Sequence, residues 1–237
     1  MFIPLGDDNS RRHSFPLVVL ILIVLNGFMW KEQLVRGDKF TLGYSFVPFE
    51  LTHWKDLSGL FKLPNPQVNK PIHLYPGPPF IPSTIFYAMF MHGSWGHICG
   101  NMLYLWIFGD QVEDYLGKLH FVFFYLLCGV GATAAYYLVN PDSIVPTLGA
   151  SGAIAGVLGA YLVLHPTNRI RVLLFNSFIL MPAWIVLGSW FVMQFVGQFG
   201  AIEGGGGVAY MAHIGGFVVG AGYLKLVRSI GAIPRGY

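Results

Sequence analysis

The sequence predicts an all-α membrane protein, a bundle of six transmembrane helices, and three observations carry that expectation. Of 237 residues, 54% are hydrophobic and only 11% charged, whereas a soluble domain carries about a quarter charged residues; the mean hydropathy is +0.58. Six stretches, at about 15–34, 97–113, 119–139, 148–165, 178–198 and 208–227, approach the roughly 20 mostly apolar residues that a helix rising about 1.5 Å per residue needs to cross a bilayer. Finally, Arg11, Arg12, Lys118, Arg169, Arg171, Lys225, Arg228 and Arg235 all fall on one side of that arrangement, while the connections 140–146 and 199–207 hold no Lys or Arg. The positive-inside rule then puts both termini in the cytosol.

Taken in order, residues 1–14 form a cytosolic tail. Arg11-Arg12 followed by Leu17–Leu25 superficially resembles a signal peptide, but no small-residue cleavage site follows, so the segment reads as the first span. Residues 15–227 form one membrane domain that includes a long first loop, 35–96, and 228–237 form a cytosolic C-terminal tail. Seven prolines between Pro64 and Pro82 oppose regular helix or central strand there. Upstream of them, Tyr44–Lys55 mixes aromatic and charged residues, as suits either the headgroup zone or a loop packed on the bundle. Cys99 and Cys128 both lie within spans, which excludes a disulfide framework or a cysteine zinc cluster. The net charge of +3 reflects topology, and nucleic-acid binding is not expected. Gly204–Gly207 is a flexible connection before the last span, the Gln198–Gly207 segment is a candidate cover over a site, and Pro182 is a candidate weak point near the start of the fifth span.

Several polar residues stand out because they lie within these apolar stretches. Ser151, in Thr147-Leu148-Gly149-Ala150-Ser151-Gly152, is a candidate nucleophile. Pro146 suits a first helical turn, so the fourth span is expected to begin near Pro146–Gly149 with Ser151 in its opening turn. Backbone N–H groups there lack intrahelical partners and can face an anion. A serine in a span also serves helix packing alone. His213 is harder to account for structurally, because an ionisable residue in a span is costly and faces the bundle interior. Small residues at Ala212, Gly216 and Gly220 in the sixth span, and at Gly152 and Gly156 in the fourth, allow the two helices to approach closely. That approach would bring the His213 imidazole to Ser151 as a general base. No acidic residue is placed to orient His213, so the expected unit is a Ser/His dyad. His97 and Asn101, four residues apart on one helical face, are candidate oxyanion donors together with the Ser151 backbone N–H. His92 is assigned a supporting role between loop and helix. Three histidines alone make a weak zinc signature, and the sequence holds no His-Glu-x-x-His helix; no metal and no cofactor is expected.

His92-x-x-x-x-His97-x-x-x-Asn101, Gly149-x-Ser151-Gly152 and Ala212-His213-x-x-Gly216, in that order and in those spans, resemble the rhomboid family of intramembrane serine proteases over about residues 80–225. The resemblance implies a rhomboid-like six-helix bundle, with Ser151 as nucleophile, His213 as base, and His97, Asn101 and the Ser151 N–H binding the oxyanion. His92, Gly149 and Gly152 are supporting residues. It also implies transmembrane protein substrates met in the lipid bilayer, and a multi-pass protein of a bacterial or archaeal cell membrane. Oligomeric state is not readable. The alternative is a catalytically inactive relative that binds transmembrane helices. Two positions depart from the family pattern: the first-loop Trp-Arg pair is replaced near Pro82-Ser83-Thr84, and Ala155 stands where some relatives carry a tyrosine beneath the histidine.

Overall fold

In a computed structural model, residues 3–10, 12–62, 71–175, 177–200 and 209–231 are described. Helix α1 spans Leu17–Arg36, and the first loop that follows carries short helices α2 (Asp38–Gly43) and α3 (Pro48–His53). It continues through a small β2–β3 hairpin (Gly59–Phe61 with Ile72–Leu74) and a short α4 (Thr84–Ala88). The bundle is completed by α5 (Trp95–Leu116), α6 (Lys118–Val139), α7 (Ser151–Leu164), α8 (Ala183–Gly200) and α9 (Tyr210–Ser229). Each of the six expected spans thus contains a helix. Three of them, α1, α6 and α9, have the length and apolar composition of a bilayer crossing. α5 is long enough but carries Asp110, Glu113 and Asp114 near its end, and α7 has only 14 residues.

Two expectations are corrected. The fifth apolar stretch does not begin as helix at 178: Arg169–Leu174 (β4) and Ser177–Pro182 (β5) form an antiparallel hairpin, and α8 starts only at Ala183. Pro182 therefore closes a strand and weakens no helix. The N-terminal tail, in turn, contains strand β1 (Ile3–Asp7), which pairs with β4, giving a sheet ordered β1-β4-β5 at the end of the bundle opposite Ser151. Ile170 and Val172 of β4 point into the helical core.

The acidic residues of α5 explain how the N-terminal segment is held. Both oxygens of the buried Glu113 carboxylate accept hydrogen bonds from the Val18 and Val19 N–H groups at 3.0 and 2.8 Å, satisfying donors that the start of α1 leaves unpaired. Asp114 accepts from the His13 and Ser14 N–H groups, and Asp110 pairs with Arg12 at 2.9 Å. Asp7 accepts from the Tyr161 hydroxyl and the Gln111 amide, both at 2.6 Å. Burial, reinforced by Asp110 nearby and opposed by the Tyr161 hydrogen bond, pushes the Asp7 carboxyl up to about 6.

The core is organised around α7, whose residues from Gly152 to Tyr161 are all buried. Glycines set its distance to α9. A Cβ on Gly216 would collide with the Gly152 carbonyl, one on Gly220 with the Gly156 carbonyl, and one on Gly159 with the Phe217 carbonyl. A Cβ on Gly152 would meet Ala132 of α6 at 2.6 Å. The small-residue stripes seen in the sequence are the surfaces along which these helices touch.

Two outcomes follow from this packing. Gly220→Leu forces α9 away from α7 and is expected to cost at least the ~1–3 kcal/mol typical of overpacking, read as a lowered apparent Tm in detergent. An Asp7 carboxyl raised in the folded state stabilises most when protonated, so its contribution is full below 3.8 and is lost as pH rises through about 6. Thermal unfolding followed across that window should show the loss, and Asp7→Asn should flatten it.

Candidate active site

α5 is started by Ser94, whose extended backbone and side-chain oxygen cap the helix by accepting the His97 N–H at 3.1 Å. This fixes His97 in the first turn and Asn101 one turn further on the same face. The Gly93 N–H donates to His97 Nδ1 at 3.4 Å, so the ring proton sits on Nε2. That nitrogen faces Gly149: a Cβ at Gly149 would lie 2.9 Å from Nε2 and 3.3 Å from the Ser151 hydroxyl. Gly149 also has φ of +139°, a backbone conformation open essentially to glycine. Both constraints select glycine there.

α7 begins at Ser151 itself, later than the Pro146–Gly149 start expected from the proline. Pro146 lies instead outside the helix, and Thr147 exchanges two backbone hydrogen bonds with Phe46 of the first loop at 2.8 and 3.0 Å. The Gly149 N–H donates to the Ala88 carbonyl at 2.8 Å. Loop and helix start are thereby tied together, leaving the Ser151 N–H in the first turn of α7 with no i−4 carbonyl of that helix to meet.

Opposite Ser151, α9 presents His213. The Ser151 hydroxyl donates to His213 Nε2 at 2.8 Å, and His213 Nδ1 donates to Gln194 Oε1 of α8, also at 2.8 Å. The Gln194 Nε2 is committed to the Trp190 carbonyl at 2.9 Å, so its oxygen is the end left for the histidine. A neutral amide thus selects the tautomer in which Nε2 keeps its lone pair for the serine. The Trp190 ring lies 5.9 Å from the imidazole, inclined by 35°, and contributes an aromatic wall to His213, whereas Ala155 is buried. Gln194 and Trp190 are absent from the sequence-based site. Their signal was a glutamine in an apolar helix, four residues after a tryptophan.

Ser151, His213, His97, Asn101 and Trp190 line one cavity of about 630 Å³. The Asn101 side-chain nitrogen is buried there without a hydrogen-bond partner, a costly state unless something in the cavity accepts from it. His92 is not among the lining residues. It stands behind His97, ring edge to ring face at 5.1 Å, and its backbone N–H and C=O are both held by the Gln33 amide of α1 at 2.9 Å. Burial, with His97 alongside, lowers the His92 ring to about 3, so it is neutral. Gly152 takes its place in the packing of α7 on α6 and α9. Among the described residues, no group of three or more His, Cys, Asp or Glu side chains forms a metal-binding cluster. The Gly204–Gly207 run and most of the Gln198–Gly207 segment lie outside the described residues.

A helical membrane bundle that sets a serine against a histidine in one cavity defines the class, and comparison assigns it: the chain belongs to the rhomboid family, whose Rhomboid domain matches residues 82–230. It is 31% identical over 140 residues to the chloroplastic rhomboid-like protein 11 of Arabidopsis thaliana, covering 56% of this chain and 48% of that one. It is 32% identical over 144 residues to the mitochondrial presenilin-associated rhomboid-like protein of Bos taurus, covering 60% and 37%. A match to rhomboid-like protease 5 of Toxoplasma gondii is 31% identical over 153 residues, 62% of this chain and 16% of that one. The matched segments span less than half the length of these relatives. Two of them are named for the chloroplast and the mitochondrion, so they lend no support to the expected bacterial or archaeal cell membrane; the family supports a multi-pass membrane protein.

The orienting amide is open to test. Gln194→Leu is expected to slow labelling of Ser151 by a fluorophosphonate about 100-fold, the low end of what a general base contributes. Gln194→Glu, which keeps an acceptor facing His213 Nδ1, should restore most of the rate.

Proposed function

We propose that this chain is an intramembrane serine endopeptidase, hydrolysing peptide bonds in or near transmembrane helices of membrane-protein substrates. The single observation that carries the reading is the 2.8 Å contact between the Ser151 hydroxyl and His213 Nε2, made in a cavity that also holds the unpartnered Asn101 amide. Ser151 attacks the scissile carbonyl carbon as His213 takes the hydroxyl proton. Negative charge then collects on the former carbonyl oxygen, where the His97 Nε2–H, the Asn101 amide and the Ser151 N–H stabilise it. Collapse breaks the C–N bond, and His213 returns the proton to the departing amine. Water, deprotonated by the same imidazole, releases the acyl group from the serine. No cofactor enters this scheme.

In this reading α1, α5, α6, α7, α8 and α9 are the six membrane-crossing helices of one domain, residues 15–227, with the segments 1–14 and 228–237 in the cytosol. The basic residues Lys118, Arg169, Arg171, Lys225 and Arg228 all lie at the bundle end opposite Ser151, as that orientation requires. The second reading is a catalytically inactive family member that binds transmembrane helices. The intact Ser151–His213–Gln194 chain of hydrogen bonds favours the enzyme, since helix binding alone gives no reason to hold an imidazole in one tautomer.

With a reconstituted single-span substrate, Ser151→Ala and His213→Ala are each expected to abolish cleavage without loss of fold. Asn101→Ala should lower kcat about 100- to 1000-fold with little change in KM, because an oxyanion donor acts on charge that develops in the transition state. Cleavage should be insensitive to EDTA. Cleavage by well-folded Ser151→Ala sinks the mechanism.

A further inference from the structure

The β4–β5 hairpin lies at the bundle end opposite Ser151 and has no part in the site. Its inner half is anchored, with Ile170 and Val172 of β4 buried in the core and Ala183 of α8 buried just beyond β5. Its outer half carries apolar side chains on both faces, beside Arg171 on one and Ser177 on the other. On one face, Leu173 pairs with Phe178 and Arg171 with Leu180; on the other, Leu174 pairs with Ser177 and Val172 with Ile179. Phe178 is 72% exposed, Leu180 56% and Ile179 39%, and Phe175 at the turn is 93% exposed. Phe175 also has φ of +45°, a conformation that costs a bulky residue and that polar Asn or Gly adopts more readily. A water-exposed turn gives no physical reason for an aromatic side chain there.

Charge accompanies the apolar surface. Arg169 and Arg171 are exposed on the same face as Phe178 and Leu180, and neither has an ion-pair partner among the described residues. β5 also runs straight into α8, where Trp184 is exposed. Tryptophan at a helix end is the residue type enriched at the boundary between headgroups and hydrocarbon. An apolar hairpin tip, a tryptophan at the adjoining helix start and two exposed arginines are the elements of an interfacial anchor. The arginine stems can lie on apolar surface while their guanidinium groups reach lipid phosphates.

We propose that the β4–β5 hairpin is a membrane-interface anchor that sets its tip into the headgroup–acyl boundary of the leaflet opposite the Ser151 end, and that Arg169 and Arg171 make this contact selective for anionic lipids. The hairpin leads directly into α8, which exposes Trp184, Val192, Met193 and Val196, and the hairpin's charge is complementary to phosphate. The anchor is independent of whether the chain cleaves substrates.

Site-directed spin labelling tests it on the full chain in vesicles. A nitroxide is placed at Phe178→Cys, and separately at Phe175→Cys, in a Cys99→Ser background, Cys128 being buried. The exposed Ser10→Cys serves as an aqueous reference. In phosphatidylcholine vesicles containing phosphatidylglycerol, both hairpin labels should collide with a water-soluble nickel chelate several-fold less often than the label at position 10, and should remain accessible to oxygen. Arg169→Gln with Arg171→Gln, or omission of phosphatidylglycerol, should raise chelate collisions several-fold at the hairpin and leave position 10 unchanged. Chelate access at 175 and 178 equal to that at position 10 in anionic vesicles overturns the anchor, and would leave the free edge of β5 as a surface for a soluble partner. Immersion that ignores both the arginines and the lipid charge overturns the anionic selectivity.

Discussion

Ser151 and His213 stand 62 residues apart in the chain, and they meet because α7 and α9 approach until backbone touches backbone. At Gly216 and Gly220 of α9, and at Gly159 of α7, any side chain would run into a carbonyl of the neighbouring helix. In lipid the hydrophobic effect gives helices little reason to associate, so close van der Waals packing between small residues has to hold them. The same contact that stabilises the bundle therefore sets the depth and separation of the Ser151 and His213 side chains. Gly152, one residue after the serine, belongs to this contact through its carbonyl, so the start of α7 cannot shift without disturbing the packing on α9.

The parts of the site differed in how far they could be read from sequence. Ser151, His213, His97 and Asn101 were visible because each is a polar residue in an apolar stretch, at helical spacing from glycines or from one another. Gln194 was not legible, because it is a neutral amide rather than a carboxylate, one of two glutamines in α8, and its separation of 19 residues from the histidine carries no spacing signal. The β4–β5 hairpin was hidden for a different reason. Ser177–Pro182 is a short apolar run joined to a longer one, and periodicity alone does not separate a buried or interfacial strand from the beginning of a helix. Its pairing partner β1 lies about 160 residues earlier, beyond any local pattern. Likewise Asp110, Glu113 and Asp114 read as residues at a span end, while their role, holding backbone N–H groups and Arg12 of the N-terminal segment, is a tertiary one.

The length of α7 has consequences for chemistry. Fourteen residues extend about 21 Å at 1.5 Å per residue, well short of a hydrocarbon core of about 30 Å. A helix of this length that joins the opposite end of the bundle near Leu164 cannot carry Ser151 to the other membrane surface. The chain between Val139 and Ser151 makes up the distance outside any helix, turning at Pro141–Asp142 and bridging to the first loop through Thr147. Backbone that is not helical is tolerated at such depth only where protein or water meets its polar groups. The cavity beside it supplies room for water, and the unpartnered Asn101 nitrogen supplies a reason for water or substrate to be there.

The supports of the site are unevenly anchored. Ser151 sits on the most enclosed helix, and His97 and Asn101 sit on α5, whose start is capped by Ser94 and whose far end is tied to the N-terminal segment. His213 is different: its ring is oriented by Gln194 and flanked by Trp190, and both come from α8. That helix turns Val192, Met193 and Val196 outward, and it enters the bundle from a hairpin rather than from a packed helical turn. Ser151, His97 and Asn101 are thus fixed by the core, while the tautomer of His213 depends on a peripheral helix. Any displacement of α8 that breaks the 2.8 Å contact between Gln194 and His213 removes the constraint on the imidazole without moving Ser151, which separates the part of the site set by helix packing from the part set by one hydrogen bond.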